Sequence, residues 1–330
     1  MATFTRCSPV EAQALLDRYG RGRLIRLEGI AAGSVNSNYR LEVARPDGRS
    51  ETLFLRIYEE QDAGGAAWDC ALTTHLGSAG VPTPAPLGTL EGDSFVLHAG
   101  KPAALFPFVA GVHACQASVS PARAHAVGRA LGEVHAAAAS FADRRASRFS
   151  PEQLRHRLPK IAAANDPAIA TLAPELGAAL DGLLAEPSFD VPRGIVHGDL
   201  FRDNVLFAAA TGDREAEVVA LLDFESAAEG ALIFDLAVCL HSWCFGDRFE
   251  VALGRALLDG YTARRPLEHD ERGALEQTMR SSAIRFCITR LTDYALREGV
   301  VGDRVMKDWR RFYRRHQLAP AFVAALFDDR

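Results

Sequence analysis

Residues Ile195–Phe207 read IVHGDLFRDNVLF, and residues Val218–Glu225 read VVALLDFE. The first stretch is an apolar run delivering His197-Gly198-Asp199, then four residues, then Asn204 at the head of a second apolar run. The other is a further apolar run ending in Asp223-Phe224. Short apolar runs bounded by polar turn residues read as buried strands, so three strand ends carry the polar groups. Four intervening residues let Asp199 and Asn204 point into one cleft, and the hairpin bearing Asp223 closes it. The residue types suit one chemistry. One carboxylate can meet a substrate hydroxyl, while an amide oxygen and a second carboxylate offer the hard oxygen ligands that Mg²⁺ takes. Taken singly, Asp199 and Asp223 also read as strand-end turn residues, and His197 as a hydrogen-bonded core histidine.

Working outward, the 330-residue chain is about twice the roughly 150-residue prior for one domain. Two lobes with a cleft between them are therefore expected. Its 48% hydrophobic and 24% charged content excludes disordered and low-complexity classes. A net charge of −5 and no long basic run argue against nucleic acid and anionic membranes as partners. The six cysteines form no C-x-x-C pair. The opening MATFTRCSPVEAQ has no apolar signal region, and Ala231–Leu240, interrupted by Asp235, is too short to span a bilayer. The expectation is a soluble, reduced, cytoplasmic protein. Of 37 basic residues only Lys101, Lys160 and Lys307 are lysine, so arginine is expected in roles lysine often fills.

The first hundred residues read as strands. Leu24–Ile30 and Tyr39–Val43 flank a small polar loop, and a Pro-Asp-Gly turn leads into Thr52–Tyr58. A helix over Ala66–Ser78 is closed by Gly80 and the Pro82/Pro84/Pro86 run, and strands near Ser94–His98 and Pro102–Phe108 follow. Beyond Gly111 the spacing turns helical: Ala122–Ala139, Pro151–Ala164, Glu175–Ala185, Ile233–Trp243, Glu250–Ala263, Glu271–Leu296 and Lys307–Leu318. The exception is Gly194–Leu222. The fold class expected is α+β: a small antiparallel-sheet lobe over residues 1–107 and a larger, mainly helical lobe over residues 108–330.

In order, the central residues spell H-G-D-x-x-x-x-N…D-F, the catalytic-loop and metal-aspartate pattern of phosphoryl transfer on the protein-kinase scaffold. The chain resembles the aminoglycoside phosphotransferase-like kinases, which share that two-lobe fold and phosphorylate small molecules. Gly198 stands where regulated protein kinases carry an arginine, and no Ala-Pro-Glu segment follows Asp223. The loop Gly33-Ser34-Val35-Asn36-Ser37-Asn38-Tyr39, the block DLFRDNVLF, and the runs FDLAVCLHSWCF (234–245), YTARRPL (261–267) and RFCITRLTDY (285–294) resemble the homoserine kinases of this fold. That similarity runs from about Thr3 to about Arg315. It implies ATP and Mg²⁺ as cofactors and L-homoserine as acceptor. Glu225 departs from it, since many homoserine kinases carry a neutral or aromatic residue there.

Asp199 is then the catalytic base, with Asn204 and Asp223 as metal ligands. Gly33, Ser34, Asn36 and Ser37 are placed to cover the phosphates with backbone N–H groups, although Gly, Ser and Asn are equally the residues of a hairpin turn. Arg56 occupies the strand position of the kinase lysine, with Asp69 as the acid expected opposite; a solvated strand arginine is the other reading. Phe108 and Val109 lie on the connector, where the backbone can meet adenine. The resemblance gives Asp235 a structural role under the catalytic loop; His135 and the Trp243-Cys244 pair read as packing. A zwitterionic acceptor needs a cation and hydrogen-bond acceptors, for which Arg285, Arg290, Asp293 and Glu225 are candidates. Arg290 and Asp293, three apart, equally describe an intrahelical ion pair. The competing functions are another small-molecule kinase acting on an amino alcohol or aminoglycoside, a catalytically dead nucleotide-binding scaffold, and a metallohydrolase built on His197, Asp199 and His241.

Overall fold

A computed structural model describes residues 5–30, 35–209, 212–296 and 308–328. The described chain divides into two compact units, one ending at Gly111 and the other beginning at Val112.

The first unit opens with helix α1 (Pro9–Arg18), which the strand-like reading of this region passes over. Its start is written locally. Ser8 caps the helix, the Glu11 carboxylate accepts the Ser8 backbone N–H, and Pro9 stands where its missing N–H costs nothing. Strands β1 (Arg23–Ile30), β2 (Ser37–Ala44) and β3 (Ser50–Ile57), helix α2 (Ala63–Ser78), and strands β4 (Val96–His98) and β5 (Lys101–Pro107) follow. The five strands form one antiparallel sheet in the order β1-β2-β3-β5-β4. Alternation along β2 sends Tyr39, Leu41 and Val43 into the core, against Leu53, Leu55 and Leu105.

The second unit contains α3 (Pro121–Ala138), α4 (Pro151–Arg155), α5 (Leu158–Ala162), α6 (Pro167–Ala170) and α7 (Leu172–Ala185). The single helix expected over 151–164 is two short ones, broken before Pro159. Residues Pro167–Ala185 are long and apolar enough, by composition alone, to cross a membrane. In the fold they are two helices meeting at Thr171, and Leu172, Leu176, Leu180 and Leu183 are buried in the core. Two antiparallel strand pairs follow: β6 (Arg193–Val196) with β9 (Ala228–Ala231), and, between them in the chain, the hairpin of β7 (Val205–Phe207) with β8 (Val218–Leu221). Helices α8 (Ile233–Trp243), α9 (Val251–Thr262), α10 (His269–Arg290) and α11 (Arg310–Phe327) complete the unit. The helix expected to run to Leu296 ends at Arg290 and continues as a π turn over Leu291–Ala295.

Helices α3 and α9 approach closely because glycines face each other's backbone. A Cβ at Gly128 would lie 2.0 Å from the Leu257 carbonyl oxygen, and one at Gly260 would lie 1.9 Å from that of His125. No larger residue fits without separating the helices. This contact brings Tyr261 of α9 against His135 of α3, where the site is supported.

Candidate active site

Strand β6 delivers His197, Gly198 and Asp199 at its carboxyl end. Gly198 has φ +78°, and a Cβ there would meet the Ser226 carbonyl oxygen at 2.7 Å. The position therefore excludes any side chain on both counts. Beneath the loop lies Asp235, at the start of α8 and fully buried. Its carboxylate accepts the N–H of His197 at 2.5 Å and that of Gly198 at 2.8 Å. Burial raises its pKa, but hydrogen bonding from His135 and the attraction of the two histidines outweigh that and hold the carboxyl below its ordinary value.

His135 bridges Asp235 and Tyr261 and is more than the packing residue expected. Its Nε2–H donates to Asp235 at 3.1 Å, and its Nδ1 accepts the Tyr261 hydroxyl at 2.8 Å. That hydroxyl accepts from Arg265 at 2.9 Å, and Arg265 donates to the buried Glu271 at 2.8 Å. A chain of hydrogen bonds thus runs from α10 to the catalytic loop.

From above, His197 ties the loop to the strand carrying Asp223. Its Nε2–H donates to the Leu222 carbonyl at 3.0 Å, its Nδ1 accepts the Asp199 N–H at 3.3 Å, and its ring lies 4.5 Å from that of Phe224. The Asn204 side-chain amide donates to the Asp199 carbonyl at 2.8 Å, and the Asn204 carbonyl accepts the Leu222 N–H at 2.9 Å. With its NH₂ committed, Asn204 offers Oδ1 as a ligand. Asp223 has φ +66° and ψ +63°, a left-handed conformation costly for a non-glycine residue and held here by the hairpin. The loop thus brings Asp199, Asn204 and Asp223 together. Amide and carboxylate oxygens of this kind fit Mg²⁺.

The candidate substrate residues are placed differently. Arg285 is 5% exposed, lies 4.0 Å from the Phe149 ring and 4.1 Å from the Phe286 ring, and donates to the Gly198 carbonyl at 2.9 Å. Burial pushes its guanidinium down to about 10, against the pull of Asp199. It clamps the loop opposite Asp235. Arg290 and Asp293 do not pair with each other. Arg290 donates to the Asp308 carbonyl at 3.1 Å, and Asp293 accepts from Arg157 at 2.5 Å. The π turn starting at Leu291 removes the i, i+3 alignment that an α-helix would give. Glu225 is buried, and its backbone carbonyl accepts Arg145 at 3.0 Å. His241 is buried with Nε2 on the Met279 carbonyl at 2.8 Å, and burial lowers its pKa to about 3. With both His197 nitrogens also engaged, the metallohydrolase arrangement is not built. Trp243 and Cys244 are core residues, and the Trp243 indole N–H donates to the Leu200 carbonyl at 3.3 Å.

In the sheet unit, Gly33 and Ser34 lie outside the described residues. The Ser37 hydroxyl is turned inward onto Glu59, whose carboxylate also accepts Lys101 and, at 2.9 Å, the Thr5 N–H. Asn36 Oδ1 accepts the Glu59 N–H at 3.1 Å. Both side chains therefore anchor the base of the loop. Arg56, on β3, lies 5.9 Å from the Tyr58 ring, and the Tyr58 hydroxyl donates to Asp69 at 2.8 Å. Tyr58 thus stands beside both Arg56 and Asp69. The Phe108 N–H donates to the Thr52 carbonyl at 3.2 Å, its ring lies 5.2 Å from Arg40, and Val109 is half-buried.

The chain belongs to the phosphotransferase enzyme family, whose pattern matches residues 26–267. Within that class it is similar to the homoserine kinase of Methylocella silvestris, at 36% identity over 297 residues covering 89% of this chain and 88% of that one. The homoserine kinase of Rhodopseudomonas palustris is 37% identical over 306 residues, covering 89% and 87%. Among solved structures, amicoumacin kinase with bound AMP-PNP superposes with a TM-score of 0.67 at 14% identity, covering 97% of this chain and 94% of that one. Spectinomycin phosphotransferase with ADP gives 0.66 at 13% identity, covering 97% and 99%. The fold is the two-lobe α+β architecture of the kinase-like phosphotransferases, and the chain is an ATP-dependent kinase.

Proposed function

We propose that this protein transfers the γ-phosphoryl group of ATP to the side-chain hydroxyl of L-homoserine, giving O-phospho-L-homoserine on the route to threonine. The observation that carries the chemistry is the Asp199–Asn204–Asp223 loop, braced by Asp235, Arg285 and His197. The acceptor rests on the similarity to homoserine kinases over nearly nine-tenths of the chain. Residues 1–107 form the ATP-binding lobe in this reading, and residues 108–330 the catalytic and acceptor lobe.

Asp199 orients the hydroxyl and receives its proton as the oxygen–phosphorus bond forms and the bond from the γ-phosphorus to the bridging oxygen breaks, that oxygen leaving on ADP. Asn204 Oδ1 and the Asp223 carboxylate would hold Mg²⁺, which would supply neutralisation of phosphate charge. The transition state of phosphoryl transfer is loose, so the protein's contribution is mainly position and charge. That is why the loop is clamped through both the N–H and the C=O of Gly198. The backbone of the Gly33–Asn38 loop covers the phosphates, Arg56 faces them from β3, and the connector at Phe108 and Val109 receives adenine. The six free cysteines suit a reducing cytoplasm.

The test is phosphorus NMR of a reaction containing Mg²⁺, ATP and L-homoserine, run beside choline and an aminoglycoside. A phosphomonoester on homoserine, with equimolar ADP, is expected. Transfer to choline or the aminoglycoside with homoserine inert would replace the acceptor. Absence of turnover on every hydroxyl compound would leave a nucleotide-binding scaffold.

A further inference from the structure

Four arginines, Arg202, Arg290, Arg311 and Arg315, collect beside the catalytic loop, where Asp199 and Asp203 act on Arg290, and Asp203 on Arg202, only at longer range than an ion pair. Arg202 lies on that loop, three residues beyond Asp199, and donates to the Ser242 carbonyl at 3.2 Å and to Gln116. Arg290 and Arg315 lie against the same Phe312 ring, 4.3 and 4.2 Å from its centroid. Arg315 is also 4.6 Å from the Phe245 ring, and Arg290 is 5.8 Å from that of Phe201, the neighbour of Arg202. Arg311, one turn before Arg315 on α11, donates to the Gly246 carbonyl at 3.0 Å.

Arg315 decides the reading. It is 5% exposed, its Nε has no hydrogen-bond partner, and its contacts are the two aromatic rings. Among the described residues none of the four arginines has a carboxylate within 4.0 Å. Burial and the charges of Arg290, Arg311 and Arg202 push its pKa down to about 8. A buried guanidinium among like charges is costly unless an anion joins it. A cavity of about 380 Å³ opens alongside, lined by Phe245, Gly246, Asp247, Asp308, Arg311 and Arg314.

We propose that this cluster is an anion site that holds the carboxylate of the amino-acid acceptor, with Arg315 and Arg311 as its principal donors. The inference rests on the acceptor reading above and sharpens it. Rings stacked on the guanidinium faces leave the N–H edges for a planar, bidentate partner, which a carboxylate is. An anion seated beside a loop residue three positions from Asp199 keeps a short hydroxylated amino acid within reach of the base. A phosphate group is also drawn to clustered guanidinium groups, so the experiment separates the two.

Arg315→Met and Arg311→Gln are compared with the unaltered protein on L-homoserine and on aminopropanol, the same chain without its carboxylate. Thermal melts check folding, and exposed Arg311 gives a variant whose fold is not at risk. The preference for homoserine over aminopropanol is expected to fall about 10- to 100-fold in each variant, through KM for homoserine, with KM for ATP unchanged. Inorganic phosphate should compete weakly with homoserine and not with ATP. Retention of the preference in folded variants overturns the proposal, as does a rise in KM for ATP alone, which would mark a nucleotide-phosphate site. If the unaltered protein ignores homoserine, the acceptor reading fails by itself. The site then stands only if the acceptor found in a wider panel carries an anionic group whose preference the variants lose, and a preferred acceptor lacking one overturns it.

Discussion

Glu59 in the sheet unit and Arg315 in the helical unit are both charges withdrawn from water, and the two units treat them in opposite ways. The Glu59 side chain, 8% exposed, is surrounded by Lys101, Ser37 and Thr5. Burial raises its pKa, but those donors win and hold it below the ordinary carboxylate value. Arg315 lies against the Phe245 and Phe312 rings and among other cationic groups, with no carboxylate in ion-pair range among the described residues. A buried charge supplied with all its partners serves the fold. One left among like charges is kept for something that arrives. The distinction gives a rule: removing a charge that awaits a ligand should harm function and spare stability, and removing a partner of a satisfied charge should do the reverse.

The largest effect belongs to Asp223, the carboxylate assigned to the metal. Asp223→Asn keeps a residue that tolerates the left-handed backbone but removes the charge assigned to the metal. Mg²⁺-dependent turnover should fall to background while the melting temperature stays within about 2 °C. Normal activity with unchanged Mg²⁺ dependence would take Asp223 out of the site.

Asp235 sits between the two kinds of charge, being fully partnered yet set directly under the loop. His197 and Gly198 donate to different oxygens of Asp235, so Asp235→Asn places an amide NH₂ against one of these two backbone donors and the loop should shift. We expect kcat to fall about 10- to 100-fold with little change in KM for ATP, together with a lower melting temperature. A stability loss without a kcat loss would make Asp235 purely structural.

For Glu59 the rule predicts the reverse balance. Ser37→Ala removes one donor from a buried carboxylate and should cost about 1–2 kcal/mol of stability in denaturant titrations, leaving kcat nearly unaltered. A large kcat loss would mean the hydroxyl itself meets the nucleotide.

The smallest effect concerns acid stability. Folded His241, buried and facing Arg315 and His316, has a pKa of about 3, whereas an unfolded histidine titrates near 6.5. Between those values the unfolded chain takes up a proton that the folded chain refuses, so stability falls as pH drops from about 6.5 towards 3. His241→Gln can keep the bond to the Met279 carbonyl and should flatten that slope. An unchanged slope would assign the acid sensitivity elsewhere.

What was legible in the sequence follows from how local each signal is. The catalytic loop was readable because its residues lie within a few positions of one another on short apolar strands. The capping box of α1 was equally local, in Ser8-Pro9-Val10-Glu11, and its helix could have been read from it. His135 was not readable as a support of Asp235, because a hundred residues separate them and only the glycine contact of α3 with α9 brings Tyr261 into line. The arginine cluster draws on positions 202, 290, 311 and 315 from three elements, and no spacing rule joins these. Pairing Arg290 with Asp293 assumed a regular helix, and the π turn breaks that assumption.

The central claim is that Asp199 performs the chemistry on a loop held in place by the rest of the unit. Rapid-quench, single-turnover measurement of Asp199→Asn with saturating ATP, Mg²⁺ and L-homoserine tests it most directly, alongside equilibrium binding of ATP. The account predicts unchanged nucleotide affinity and a transfer rate lowered by about 10²–10⁴. A rate within about tenfold of the unaltered protein would contradict it.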